Sequence, residues 1–319
     1  MKTRIGIVGY GNLGKAVEQT VLSNPKLRLV AIFSRRLVKS KFNTKIEQYD
    51  NFLDYKNKID IMILCGSSKN DLEFQTPELL EFFDVINSFD THSKILSEYK
   101  KLDRLANLKK HRALICTGWD PGLFSVIRTM FLAIGKNNPV TFWGKGVSMG
   151  HSDAIRKVPF VDDGVQFTIP IQNAMLNAKN QIDDKALPKH ERVCFVCADG
   201  KYHKSIESKI KNIPNYFKGQ PVKVNFVSAE KVIKLKQNMS HRGVIFETFK
   251  SVNGFKCNFE FKLSTKSNPE LTASIMCTYI NAILNLKNLK LCGCFTPIDI
   301  PASFLFEKTK YQFLLKTTC

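Results

Sequence analysis

Ile5-Gly6-Ile7-Val8-Gly9-Tyr10-Gly11-Asn12-Leu13-Gly14 begins as a short apolar strand, passes through a glycine turn and enters a helix. A second apolar stretch at 27–33 follows the helical segment 16–23. In a G-x-G-x-x-G held between strand and helix, Gly9 permits the tight turn and Gly11 lets the backbone approach a pyrophosphate. Gly14 allows the helix to pack closely on the sheet. The helix N-terminus then offers free N–H groups and a partial positive charge to phosphates. Residues 9–14, with Tyr10, Asn12 and Leu13 between the glycines, therefore read as a dinucleotide site.

Working outward, three more short apolar runs stand at 61–65, 85–89 and 113–116, separated by helical segments. Continuous apolar strands spaced in this way signal a parallel sheet covered on both faces. The expectation is an α/β chain whose residues 1–118 form a Rossmann-like, doubly wound parallel sheet domain. The pattern changes near Gly118-Trp119-Asp120-Pro121-Gly122, where a helix over 123–133 begins. Strand-like runs then recur at 140–144, 165–170, 192–198, 222–227, 243–249 and 255–263, which predicts a second, α+β domain with a mixed sheet over 119–269. Helical periodicity returns at 271–286, and the segment of about 270–319 is expected to complete the first domain.

The second strand ends Phe33-Ser34-Arg35-Arg36. An NAD site would place Asp or Glu here to bond the ribose 2′-hydroxyl. Instead Ser34 can hydrogen-bond a 2′-phosphate, and Arg35 and Arg36 can clasp it bidentately. The dinucleotide is thus expected to be NADP. Cys65-Gly66-Ser67-Ser68 follows the 61–65 strand, beyond the strand carboxyl end, where open α/β sheets bind ligands. Its small residues suit the approach of a cofactor ribose.

Of the 319 residues, 44% are hydrophobic and 24% charged, an ordinary globular composition. The formal net charge of +20 is spread along the chain, whereas nucleic-acid binders gather charge into a patch or tail. No nucleic-acid partner is expected. No signal peptide opens the chain, and no apolar run reaches the roughly 20 residues of a bilayer span, so no membrane partner is expected either. The expected location is the cytoplasm, where the nine cysteines stay thiols. Cys194 and Cys197 lie on a strand-like run whose alternation points them to opposite faces, and no metal is expected.

Several blocks ask for more than packing. Phe89-Asp90-Thr91-His92, Thr117-Gly118-Trp119-Asp120-Pro121-Gly122, Phe142-Trp143-Gly144-Lys145-Gly146 and Ser148-Met149-Gly150-His151-Ser152-Asp153-Ala154 are such blocks. With Phe167-Thr168-Ile169-Pro170, Arg192-Val193-Cys194-Phe195, Pro214-Asn215-Tyr216-Phe217 and the run Asn268-Pro269-Glu270-Leu271-Thr272-Ala273-Ser274, the chain resembles meso-diaminopimelate dehydrogenase over nearly its whole length.

The resemblance implies NADP-dependent oxidation of the D-configured centre of meso-2,6-diaminopimelate to L-2-amino-6-oxopimelate and ammonia. The reverse direction leads toward lysine, and the family forms homodimers through the domain that also binds substrate. Carried onto this sequence, the resemblance puts the D-centre near the candidate catalytic acids Asp90 and Asp120 and near Trp143. Trp119, Met149 and Gly150 shape the cavity. The distal carboxylate falls to Thr168, Arg192 and His241, with Asn268 adding an amide. The general base stays open between Asp90, Asp120 and a water they hold, and His151 and Asp153 receive no catalytic role. One departure is Arg242, where the family commonly carries glycine; its side chain either joins the distal cations or faces solvent. Two rivals stand beside this reading: another NADP-dependent D-amino-acid dehydrogenase on the same scaffold, and a non-catalytic NADP-binding sensor.

The 2′-phosphate reading has a direct test. Arg35→Asp combined with Arg36→Ala should raise KM for NADP far more than KM for NAD in steady-state rates. Equal losses with both dinucleotides would refute it.

Overall fold

The computed structural model describes residues 2–180, 182, 188–237 and 239–306; the part of the expected C-terminal segment at 307–319 lies outside the described residues. In chain order the elements begin with β1 (Thr3–Val8), α1 (Asn12–Ser23), β2 (Leu27–Ser34), β3 (Ile46–Gln48), β4 (Ile61–Leu64), α2 (Leu72–Leu80), β5 (Asp84–Asn87), α3 (Ile95–Lys109) and β6 (Arg112–Leu114). There follow α4 (Leu123–Gly135), β7 (Val140–Trp143), β8 (Gly146–Val147), α5 (Met149–Arg156), β9 (Asp163–Pro170), α6 (Gln172–Lys179) and β10 (His190–Cys197). The remainder is α7 (His203–Lys211), β11 (Val222–Phe226), α8 (Ala229–Lys236), β12 (His241–Lys250), β13 (Lys256–Thr265), α9 (Asn268–Asn288) and β14 (Gly293–Phe295).

Two compact units result: Met1–Ile127 with Pro269–Cys319, and Arg128–Asn268. The division at 127/128 falls inside α4, later than the change of pattern at 118/119. The reason is local bonding. Thr117 donates its N–H and its hydroxyl to the Asn87 carbonyl at 3.0 and 2.9 Å, which ties the turn to the end of β5.

In the first unit all strand pairs are parallel, in the order β14-β6-β5-β4-β1-β2-β3. The five strands expected from sequence form its middle. The short edge strands β3 and β14 were not foreseen, because Ile46-Glu47-Gln48 and Gly293-Cys294-Phe295 lack the continuous apolar run that marks the inner strands. Strand β4 shows why such a sheet reads as a continuous apolar run. Ile61 and Ile63 join Val17 and Val21 of α1 and Met276, Ile280 and Ile283 of α9 on one face. Met62 and Leu64 join Leu79 of α2 and Leu102 of α3 on the other. Each such buried side chain contributes on the order of 1.5–3 kcal/mol relative to exposure. Strand order reverses at β1, so the glycine turn lies where a doubly wound sheet binds its ligand.

The second unit holds two sheets. The expected mixed sheet is β11-β10-β9-β8, with β10 and β11 parallel and the other pairs antiparallel. A separate antiparallel sheet, β13-β12-β7, takes the runs 140–144, 243–249 and 255–263. Along β10 the side chains alternate: Cys194 and Val196 pack with Ile206 and Ile210, while Phe195 and Cys197 pack with Val165 and Val232. The two thiols of this strand are therefore separate core residues.

Candidate functional site

The carboxyl ends of the parallel strands carry the first group of site residues. After β1, Gly9 takes φ +89°, a conformation that favours glycine. Its N–H donates to the Phe33 carbonyl at 2.9 Å. A Cβ on Gly14 would lie 2.1 Å from the Gly9 carbonyl oxygen, so only glycine lets α1 start this close to the turn. A Cβ on Gly11 would meet nothing within 4 Å, which leaves open space beside the turn. Gly11 is also the N-cap of α1 and supplies no side-chain hydrogen bond to its first turn. An uncapped helix start facing open space fits a pyrophosphate, and the N–H groups of Asn12 and Leu13 belong to that start. Tyr10 differs from the expectation in one respect. Its side chain is buried and bonded to Glu18 and Lys41, so only its backbone is available to a phosphate.

After β2, buried Ser34 donates its hydroxyl to the Arg36 carbonyl at 2.9 Å and accepts the Arg36 N–H at 3.1 Å, closing the turn on itself. Arg35 and Arg36 are exposed. Arg35 is ion-paired with Asp71, whose other oxygen accepts the Ser67 N–H at 2.8 Å. Sequence reasoning missed Asp71; an acid immediately before a helical run was the available signal. The pair spans from the end of β2 to the loop after β4. In that loop a Cβ on Gly66 would lie 2.6 Å from Asp71 Cβ, so glycine is needed for the acid to come in. Burial raises the Cys65 thiol pKa, which leaves it an apolar wall.

The acids sit on the next two strand ends. Ser68 accepts the Asp90 N–H at 2.9 Å, fixing the loop after β5 to the loop after β4. Asp90 itself is exposed. Burial and then Asp90 push the thiol of buried Cys116, just past the end of β6, up to about 12. Beyond it, Gly118 and Trp119 accept the N–H groups of Leu123 and Phe124 at 3.1 and 2.8 Å, so the turn closes onto the first turn of α4. Gly122, with φ +139°, is required there, since a Cβ would stand 1.8 Å from the Gly118 oxygen. The Trp119 indole packs edge-on against buried Phe124, with ring centroids 5.1 Å apart, and both Trp119 and Asp120 stay half-buried.

In the second unit the antiparallel register sets the geometry. Thr168 faces Arg192 directly across β9 and β10, and Arg192 Nη1 donates to Thr168 Oγ1 at 2.7 Å. Buried Arg192 Nε has no hydrogen-bond partner among the described residues, and burial lowers the guanidinium pKa. Gly146 faces Thr168 from β8, and a Cβ on it would stand 2.3 Å from His241 Nδ1. The His241 ring therefore lies against that strand, and Thr168, Arg192 and His241 form one group. The Asn268 N–H donates to the carbonyl of Met239, two residues before His241, at 2.9 Å. Trp143 ends β7 with the Arg128 guanidinium 5.9 Å from its ring. Met149 and Gly150 open α5, exposed. Arg242 is exposed and takes part in the sheet through its carbonyl, which accepts the Gly144 N–H at 2.7 Å.

His151 contacts Ser148 at 2.8 Å through Nδ1 and sits edge-on to Tyr216 and Phe217, while Asp153 pairs with Arg156. These two do not form a dyad. His190, which sequence reasoning passed over, accepts the Trp143 N–H at Nε2, 2.8 Å away. Its signal was period 2, since His190 and Arg192 share a strand face.

The family described as diaminopimelic acid dehydrogenase C-terminal domain matches residues 118–267. A meso-diaminopimelate D-dehydrogenase of Ureibacillus thermosphaericus is 41% identical over 317 residues, covering 97% of each chain. The solved structure of C. glutamicum DAP dehydrogenase in complex with DAP has a TM-score of 0.92 at 32% identity, covering 100% of this chain and 99% of that one. An engineered D-amino-acid dehydrogenase bound to NADP+ has a TM-score of 0.89 at 31% identity, with each chain fully covered (100% and 100%).

The buried imidazoles make stability depend on pH. Burial, and then Arg192, lowers His151 and His190 from 6.5 to about 4, and burial lowers His241. Between pH 6.5 and about 4 the unfolded chain binds protons that the folded chain refuses. The stabilisation is complete above that window and is lost as pH falls through it. Calorimetric Tm should therefore drop across the window, and His190→Gln, which keeps an acceptor for the Trp143 N–H, should flatten the drop. An unchanged slope in the variant would contradict the assignment.

Proposed function

The chain belongs to the meso-diaminopimelate D-dehydrogenase family, and from that premise we propose how its side chains divide the work. The reaction is the NADP-dependent oxidative deamination of the D-centre of meso-2,6-diaminopimelate to L-2-amino-6-oxopimelate and ammonia, in lysine biosynthesis, and it is reversible. The observation that carries the assignment is Arg192. The residue is half-buried, with Nη1 on Thr168 and a buried Nε unpartnered among the described residues. Burying such a charge is costly unless an anion meets it. A substrate carboxylate held bidentately is that anion, with the Thr168 hydroxyl, His241 and the Asn268 amide completing the hold.

The glycine turn and the start of α1 would hold the pyrophosphate; Arg35 and Arg36 would take the 2′-phosphate, with Ser34 turning its hydroxyl from the Arg36 carbonyl to it; Cys65, Gly66, Ser67 and Ser68 would flank the nicotinamide-side ribose. Arg35 would exchange Asp71 for the phosphate. When bound, NADP+ accepts the Cα–H bond's electron pair together with its hydrogen. Asp90 and Asp120 accept N–H bonds from the substrate ammonium and so orient the D-centre. The nitrogen lone pair must be free before C=N can form, so one of these carboxylates, or water held by them, takes the proton. A water then adds to the imine carbon and passes a proton, by way of a carboxylate, to the nitrogen, and the C–N bond breaks to release ammonia. The indoles of Trp119 and Trp143, with Met149 beside Gly150, wall off bulk water and strengthen these charge contacts.

The protein further works as a homodimer in the cytoplasm. Support for the dimer comes from α4, whose Met130, Leu132 and Ile134 are 54%, 44% and 56% exposed on a helix that is apolar nearly all round. Among the described residues the cysteines are free thiols, and no helix is long and apolar enough to cross a membrane.

Purified protein with NADP and meso-diaminopimelate should reduce the cofactor, read by absorbance. Arg192→Ala should lower kcat/KM for this substrate by roughly 10²-fold or more, the cost of removing one partner of a buried charge pair. It should spare a D-amino acid that has no distal carboxylate. Turnover of one-headed D-amino acids but not of the meso compound would sink the substrate assignment. Light scattering should give the mass of two chains, and Leu132→Glu with Ile134→Glu should give one; a wild-type monomer would refute the dimer.

A further inference from the structure

Glu18 is a carboxylate on the apolar face of α1, between Val17 and Val21, and it is 0% exposed. A carboxylate in that position is tolerated only when donors satisfy it. Two hydroxyls do: Tyr10 donates to Oε2, and Ser40 donates to Oε1 at 2.5 Å. Each hydroxyl oxygen is then an acceptor in turn. Tyr10 Oη accepts the Lys41 N–H at 2.9 Å, and Ser40 Oγ accepts the N–H groups of Phe42 and Thr44 at 3.0 Å each.

One end of this network is Tyr10, which stands inside the glycine fingerprint. The other end is residues 40–44, which close the loop that begins with Ser34-Arg35-Arg36. That loop also carries Lys39 and Lys41, so its cations repel one another and need a fixed counter-charge. The Ser34 hydroxyl ties down only the first two residues of the loop. The glycine turn, by contrast, is held by its own backbone bonds, Gly9 N–H to Phe33 and Lys15 N–H to Gly11, at 2.9 and 3.0 Å.

We propose that Glu18 is a positioning residue for cofactor choice: through Tyr10 and Ser40 it fixes the arginine loop relative to the pyrophosphate turn. The inference rests on the reading that this loop receives the 2′-phosphate. NAD carries only an uncharged hydroxyl where NADP carries the 2′-phosphate, so its binding draws little from the cations of the arginine loop. Loosening the network therefore weakens NADP and leaves NAD unchanged.

The test uses the full-length enzyme with saturating meso-diaminopimelate and varied NADP or NAD. In Glu18→Gln and Ser40→Ala, KM for NADP should rise about tenfold, while KM for NAD and both kcat values stay within about twofold. Ser40→Thr, which keeps the hydroxyl, should retain the wild-type ratio. Ser40→Ala keeps the question answerable if Glu18→Gln does not fold. Parallel losses with both dinucleotides, or no change with either, would overturn the proposal. The Arg35→Asp, Arg36→Ala double variant separates the two levels. If it keeps the NADP preference, the loop reading fails and the proposal falls with it. If it loses the preference while Ser40→Ala keeps it, the proposal alone fails.

Discussion

Every strand of the seven-stranded sheet runs in one direction, and the rest of the nucleotide-binding unit depends on that constraint. Parallel neighbours cannot be joined by a tight hairpin, so each strand must be followed by a crossover that returns to the opposite edge. All the carboxyl ends therefore gather along one edge of the sheet. Ser34, Gly9, the 65–68 loop, Asp90 and the Trp119-Asp120 turn follow one another along it. Neighbouring points are tied by hydrogen bonds, such as Asp90 N–H to the Ser68 hydroxyl and Thr117 N–H to the Asn87 carbonyl. The edge is polar and irregular while the faces beneath it are apolar and closed, and this lets it carry charge without disturbing the core.

The second unit solves a different problem, how to withdraw cations from water and keep them fixed. Antiparallel register places Thr168 opposite Arg192 with no freedom to slip, because a one-residue shift would turn Phe167 and Val193 out of the core. The neighbouring histidines are kept neutral by the same burial, so Arg192 is not opposed by further positive charge at neutral pH. Gly144 and Gly146 matter here for what they lack. Side chains at these positions would collide with the Thr168 carbonyl and the His241 ring.

Four carboxylates of the first unit show how environment divides one functional group into different roles. Glu18 is buried and saturated by hydroxyls, and Asp71 is occupied by Ser67 and Arg35. Both hold loops in place. Asp90 is exposed, and Asp120 half-buried, at strand ends whose backbones are tied down. Those two can meet a ligand ammonium without first giving up a buried position.

Much of this was legible in the sequence because it rests on local rules. Glycines at 9, 11 and 14 are steric requirements of a turn and a close helix, and apolar runs report burial on both faces whatever lies above them. Ser34-Arg35-Arg36, with no acid at the strand end, was enough to specify NADP. The family blocks added the reaction. Tertiary structure alone decided that the Tyr10 side chain turns inward, that Arg35 meets Asp71, that the second unit's strands divide into two sheets, and that His190 supports Trp143. Those outcomes join residues such as Ser40 and Glu18, or Trp143 and His190, that are far apart along the chain. A side chain's partner at such a separation is chosen by packing, to which no local pattern of residues is tied.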